Sequence, residues 1–506
     1  MRPTLRRSCA ACAKYKHSCD LRTPRCSRCI KRNVPCVYAN QPLTAPPAAL
    51  NHDAGSLVPA NGLGEYRFGS LDPFDSYPPT RLPREHVQRL VYSFLHKIAF
   101  QYYPLDLNAT SNPFLVSWWP LALGDPALFH VSLQTACLDE ELLAQKGFHA
   151  SEILMADSVA LLRRKVQDLS LAVQDGTMNS VITLAAIEFG KGNIKVSQMH
   201  VDGAKKLVEM RGGINSVRQT SPLTARMISW VSMLVMGHPQ FPTQDDVGIG
   251  DGIPLVPEWQ LDMSTDDPYL QSTLDLIDDV QVRNAFARLR NVFNRAHQLP
   301  LSSTRLHDLA CFVIHRLLST NPSSLSLSSP SSSPSPSTSS PITESIRYTT
   351  ILYMFIIHGP TYYSHDFIMG TIVTKLITSI ANLDSISRFP VSIDVWFLAI
   401  GLVASSNTPN YQWFSERAQT IVDPLQIQRW DDVVMHVKTV LWLETPQAEA
   451  VFRTHWDAIL PSRPVVVTDI TDMADLAEAD TAPTGSAAVL PETVSPNALV
   501  LDTNII

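Results

Sequence analysis

The chain has 506 residues, 45% of them hydrophobic and 17% charged, and its 47 acids outnumber 40 Lys and Arg for a net charge of −7. That length and apolar content exclude a mini-protein or a wholly disordered chain and leave room for one large core or two or three domains. Taken alone, the acidic balance argues against a nucleic-acid partner, because phosphate backbones attract Lys and Arg.

The distribution of the charge reverses that inference. Residues 1–38 hold ten basic side chains (Arg2, Arg6, Arg7, Lys14, Lys16, Arg22, Arg25, Arg28, Lys31 and Arg32) and one acid, Asp20, a local charge of +9 that leaves −16 on the remainder. Six of the eight cysteines fall in the same stretch, while Cys137 and Cys311 stand alone and are expected to be buried core thiols. Both asymmetries mark residues 1–38 as a separate module. Arg2, Arg6 and Arg7 precede the first cysteine without an apolar run, so no secretory signal is expected, and a disulfide framework loses its usual context. The most apolar runs, Ile351 to Ile357 and Val395 to Ala404, fall short of the ~18 residues of a membrane span. An intracellular, soluble protein without a membrane partner is expected.

The cysteines read Cys9-x2-Cys12-x6-Cys19-x6-Cys26-x2-Cys29-x6-Cys36, two copies of C-x2-C-x6-C. A C-x2-C pair presents two sulfurs to one metal from a turn running into a helix, so short helices are expected near Cys12 and Cys29, and a third cysteine returns at the helix end. Three thiolates leave a tetrahedral zinc one ligand short. Six sulfurs satisfy two zinc ions if two of them bridge; the alternative is a mononuclear site in each half completed by another ligand, for which His17 is the one histidine nearby. With every position filled by cysteine no open site remains to activate a water, so the zinc is expected to be structural and to supply the folding energy of a module too small to bury a core.

The stretches Ser8 to Asp20 (SCAACAKYKHSCD) and Pro24 to Tyr38 (PRCSRCIKRNVPCVY) resemble the six-cysteine binuclear zinc cluster of fungal transcription regulators. The resemblance implies two zinc ions, with Cys9 and Cys26 bridging: one ion on Cys9, Cys12, Cys19 and Cys26, the other on Cys26, Cys29, Cys36 and Cys9. It also implies double-stranded DNA as partner, with the end of the first helix in the major groove and Lys16, four residues after the second cysteine, on a CGG-type triplet. Lysine suits guanine, whose major-groove edge shows two acceptors. The family often carries basic residues where Ala13, Tyr15 and Ser18 stand, so Lys14, Arg6, Arg7, Lys31 and Arg32 are the expected substitutes for phosphate contact. Pro24 matches the loop proline between the halves. Two zinc ions and six thiolates lower the module's +9 by two, leaving about +7 for DNA.

Residues 39–83 contain eight prolines and no helical periodicity, and read as an extended linker without the coiled coil that many relatives place there. From Leu82 onward the pattern is helical. Val87, Leu90, Val91, Phe94, Leu95 and Ile98 follow the i, i+3, i+4 rule, and Asp125-Pro126 supplies a helix cap and first turn. Further helices are expected near 150–169, 177–190 and 194–211, the last closed by Gly212-Gly213, and after 221, 270, 342, 364, 391, 427 and 446. Strand patterns are scarce, so the expectation is an all-α domain over residues 84–460. Trp118 to His130 and His200 to Gly213 resemble the regulatory domain of the same fungal regulators; His200 and Arg211 are read as packing and capping residues.

Residues 319–341 hold thirteen serines and five prolines, too polar for a core, and read as a disordered insertion whose serines are candidate phosphorylation sites. After Arg463 there are seven acids and no Lys or Arg, interleaved with apolar residues, the mixture of a disordered activation segment for a coactivator. No G-x-S-x-G, H-E-x-x-H or phosphate loop occurs, and Gly248, Gly250 and Gly252 run into Pro254 where a phosphate-binding helix would start. The reading is a nuclear, zinc-dependent, sequence-specific DNA-binding regulator of RNA polymerase II genes, an activator of a metabolic or secondary-metabolite set, and not an enzyme. The alternative is an interaction protein or ligand-sensing co-regulator without base readout.

Overall fold

The computed structural model describes residues 10–18, 26–34, 36, 77–145, 147–260, 268–319, 339–383 and 389–460. The chain divides into two compact units, Met1–Arg67 and Phe68–Ile506. The acidic tail, the middle of the Ser/Pro segment and the linker up to residue 76 lie outside the described residues.

In the first unit two five-residue helices, Ala10–Lys14 and Ser27–Lys31, pack around Cys12, Cys26 and Cys29. They begin earlier than expected. The sulfur of Cys26, not of Cys29, caps the second helix by accepting the Cys29 N–H at 3.4 Å, so winding starts one residue after the first cysteine of the pair.

The second unit is all-α: its described residues contain helices and one isolated bridge between Thr243 and Ile253, with no strand. Gly248 and Gly250, both at positive φ, sit in the loop that this bridge closes. The Asp125 carboxylate accepts from the Ala127 and Leu128 amides and pairs with Lys165, while Pro126 fills the first turn of Pro126–Ala144. Gly212 and Gly213 close Ile194–Met210 at φ 92° and 93°, and the Gly213 amide donates to Val208 O at 2.9 Å. The pattern after 270 resolves into Pro268–Leu274 and Val280–Ala296, and Ser303–Ser319 and Asn410–Val422 are helices that periodicity did not single out.

Three helices are central. Pro126–Ala144 buries every residue from Ala127 to Leu138, Asp175–Gly190 every residue from Gly176 to Glu188, and Val391–Ala404 every residue from Val395 to Val403. Neighbours on all sides remove the polar face that periodicity needs. Their hydroxyls are satisfied locally: Ser132, Ser180 and Thr183 donate to carbonyls one turn back at 2.6–2.8 Å.

Residues 77–83, which composition assigns to the linker, are seated on this core. Pro78, Thr80 and Leu82 are buried in alternation with exposed neighbours, Tyr77 stacks on Phe129 at 5.7 Å, and Arg81 donates to Asp157 at 3.0 Å. An extended backbone points alternate side chains inward, a period that proline tolerates and a helix search does not see. Asp366–Leu383 is long and apolar enough by length and composition to cross a membrane, unlike the shorter runs weighed from sequence. Its buried Ile368, Ile372, Val373, Leu376, Ile380 and Leu383 form one stripe against Pro341–His358, the pattern of a core-facing helix.

Polar side chains also pin helices together. Asp308 accepts from Arg226 Nε and Nη2 at 2.8 and 2.9 Å and pairs with Arg218. Arg211 pairs with Asp175 and donates to Val173 O, Thr220 and Ser221, the structural role expected of it, and His200 is half-buried. Cys137 and Cys311 are buried, and burial pushes both thiols up to about 12. Beside Cys311 lies a histidine cluster: His307 Nδ1 is 2.9 Å from His358 Nε2, Trp230 stacks on His358 at 4.1 Å, and His365 meets the edge of Trp230. Arg218, Arg226, Asp308 and Tyr103 surround it.

Burial holds His358 down to about 3, His315 and His365 to about 4, and His307 well below its ordinary value. Below pH ~6.5 the unfolded chain therefore binds protons that the folded chain refuses, and stability falls as pH drops toward 4. Melting temperature is expected to decrease from pH 7 to 5, each buried histidine contributing about 1 kcal/mol per pH unit; a flat profile would contradict this. Gly401 gives a second check. A Cβ there would stand 2.1 Å from the Phe414 ring, so Gly401→Ala, which ordinarily strengthens a helix, should lower stability by about 1–3 kcal/mol in denaturant titration.

Candidate metal centre and nucleic-acid interface

The sequence repeat is a structural repeat. The Tyr15 amide donates to Ala11 O at 3.2 Å and the Arg32 amide to Arg28 O at 3.1 Å; His17 N–H reaches Cys12 O at 2.9 Å and Val34 N–H reaches Cys29 O at 3.1 Å. Each helix ends on a left-handed residue, Lys16 at φ 49° and Asn33 at φ 48°, so both helices close by the same terminal turn. That turn reverses the chain after each C-x2-C pair.

The Sγ atoms of Cys12, Cys26 and Cys29 lie within 4.8 Å of one another, and all three residues are buried. Cys12 and Cys26, one from each repeat, have sulfurs 3.6 Å apart. A disulfide would need about 2.05 Å. Tetrahedral zinc with Zn–S near 2.3 Å sets its sulfurs about 3.8 Å apart, so the spacing is that of ligands sharing a metal. Cys36 joins the group through its sulfur, which accepts the Cys26 N–H at 3.3 Å. The Cys29 N–H aimed at the Cys26 sulfur and the Cys26 N–H aimed at the Cys36 sulfur orient both as ligands. The donor set of the described cysteines fits zinc. Cys9 and Cys19 lie outside the described residues. His17, the one histidine nearby, accepts at Nε2 from Arg32 Nη1 at 3.0 Å, since a guanidinium only donates.

Around the sulfurs the described residues present five cations, Lys14, Lys16, Arg28, Lys31 and Arg32, all exposed, and no acid. Lys16 sits past the end of the first helix, at its left-handed terminus, where its side chain projects from the turn. Arg28 and Tyr15, which the sequence reading did not place in the interface, share this surface; Arg28 reaches Ser18 at 3.5 Å across the two repeats. Only their exposure, among described residues of the module that include no acid, marks them. Arg6 and Arg7 lie outside the described residues.

Residues 7–45 match the fungal Zn(2)-Cys(6) binuclear cluster domain, and residues 89–241 match the fungal specific transcription factor domain. Together these two domains support a fungal binuclear zinc cluster transcription factor. Both matched domains are those of transcription factors, which are not enzymes. A transcriptional regulator of Pestalotiopsis microspora is 56% identical over 155 residues, 30% of this chain. The matched part spans about a third of that relative, 34% of its length. No solved structure matches.

Zinc held by these sulfurs should shield them from alkylation. Adding a chelator is expected to expose Cys12, Cys26, Cys29 and Cys36 to iodoacetamide while the buried Cys137 and Cys311 stay unmodified until the protein is denatured. Equal labelling of the four with and without chelator, read by mass spectrometry, would rule out a metal at this site.

Proposed function

We propose that the protein is a nuclear, zinc-dependent transcription regulator that reads DNA in the major groove through its N-terminal module. The observation that carries this reading is the convergence of Cys12, Cys26 and Cys29 in a module whose described residues expose five cations and no acid. Such a surface has phosphate as its natural partner, and it lies on a chain that is acidic elsewhere. Two zinc ions are the number that suits six thiolates, with Cys9 and Cys26 as bridges; the position of the Cys26 sulfur between Cys12 of one repeat and Cys29 of the other supports its half of that assignment.

Lys16 is the base-reading residue and CGG-type triplets its target, since an ammonium projecting from a rigid turn meets the paired acceptors of guanine. Lys14, Lys31 and Arg32 contact phosphate, with Arg6 and Arg7 leading in. Residues 1–38 are the reader, 39–76 the tether and the helical unit to residue 460 the regulatory body. The acidic tail serves as an activation segment for a coactivator at RNA polymerase II genes, of a metabolic or secondary-metabolite set.

Selection of bound duplexes from randomised DNA by the full-length protein should return a guanine-rich motif. Lys16→Ala, with zinc content unchanged, should lower affinity for that motif about 5- to 150-fold and relax preference at the guanines. Recovery of no motif, or the same motif after Lys16→Ala, would overturn the base-reading assignment in favour of an interaction module.

A further inference from the structure

The zinc module has almost no interior, and Tyr15 keeps 58% of its surface exposed. It stands in the run Lys14-Tyr15-Lys16 at the end of the first helix, with Lys14 Nζ 5.8 Å from its ring centroid and the His17 ring 6.4 Å away at an interplanar angle of 26°. The backbone beneath it is fixed by the Tyr15 amide bonded to Ala11 O and by the left-handed turn at Lys16. Its hydroxyl makes no hydrogen bond among the described residues. The equivalent position in the second repeat is Arg32, whose guanidinium is turned back onto His17. Of the two matching positions, one is engaged within the module and the other presents an outward-facing phenol between two cations.

A phenol there supplies what lysine does not: a directional, uncharged O–H donor of the kind that contacts phosphate oxygens. We propose that Tyr15 is a DNA-positioning residue whose hydroxyl donates to a backbone phosphate beside the bases that Lys16 reads. The contact seats the first repeat in the groove and sets how far the Lys16 ammonium reaches. This inference rests on the DNA-binding reading above and assigns the module a contact outside its set of cations.

The test uses the full-length protein, the duplex selected by the wild type, an unrelated duplex of the same length, and a salt series. Tyr15→Phe is expected to weaken both duplexes about two- to tenfold, the worth of one hydrogen bond. Because a neutral contact releases no counterion, the slope of log affinity against log salt should stay at the wild-type value. Tyr15→Lys should recover affinity and steepen that slope by about 0.9. Zinc content and the effect of Lys16→Ala serve as controls on folding and base reading. Wild-type affinity for Tyr15→Phe at every salt concentration, or a changed base preference at one position without a uniform loss, overturns the Tyr15 assignment while Lys16→Ala still relaxes the preference at the guanines. If the wild type selects no motif and Lys16→Ala changes nothing, the DNA-reading function falls and the Tyr15 contact with it.

Discussion

The Cys26 sulfur is the point on which the N-terminal module turns. It caps the second helix, stands 3.6 Å from Cys12 of the first, and lies in a residue whose amide donates to Cys36. Helices of five residues do not persist alone, because a single turn fixes several dihedral angles for one hydrogen bond. Convergent sulfurs remove that difficulty only when a cation balances their charge, since thiolates this close repel one another. Metal, helix and turn are therefore one cooperative element, and the exposed lysines inherit their positions from it.

The larger unit meets the opposite problem, an excess of material to bury. Three helices surrounded on all sides need no metal, yet they must satisfy hydroxyls, guanidinia and imidazoles away from water. Serine and threonine do so within their own helix, whereas Asp308 and Asp175 do so between helices by collecting two arginines and one respectively. The histidines around Trp230 are neutral in this packing, and that neutrality makes the unit sensitive to acid. Proline plays two parts: in Pro126 and Pro341 it starts helices, and around Pro78 it lets an extended segment lie on the core.

Much of the site was legible because metal chemistry constrains spacing more tightly than packing does. Two C-x2-C-x6-C units admit few arrangements, and the basic residues around them stand out in a chain whose remainder is acidic. Asp125-Pro126 and Gly212-Gly213 were legible as helix ends because capping is local chemistry. Ser303–Ser319 was not singled out because every residue from His307 to His315 is buried and leaves no polar face there, and Asn410–Val422 because its buried stripe is only Phe414, Ala418 and Val422. The true start of the two zinc-module helices was also hidden, since it depends on which sulfur turns back to accept an amide.

By itself, the sequence determined the ligand type, its repeat, the separation of a basic reader from an acidic body, and the helical class of that body. These follow from covalent spacing and from charges that do not move with folding. Tertiary structure alone decided that Lys16 projects from a left-handed turn rather than from the helix, that Arg32 is bound back to His17 while Tyr15 faces outward, and that residues 77–83 belong to the core. The first depends on a short helix that the converging sulfurs hold, and the other two are choices among partners far apart in the chain, which only the packed geometry makes.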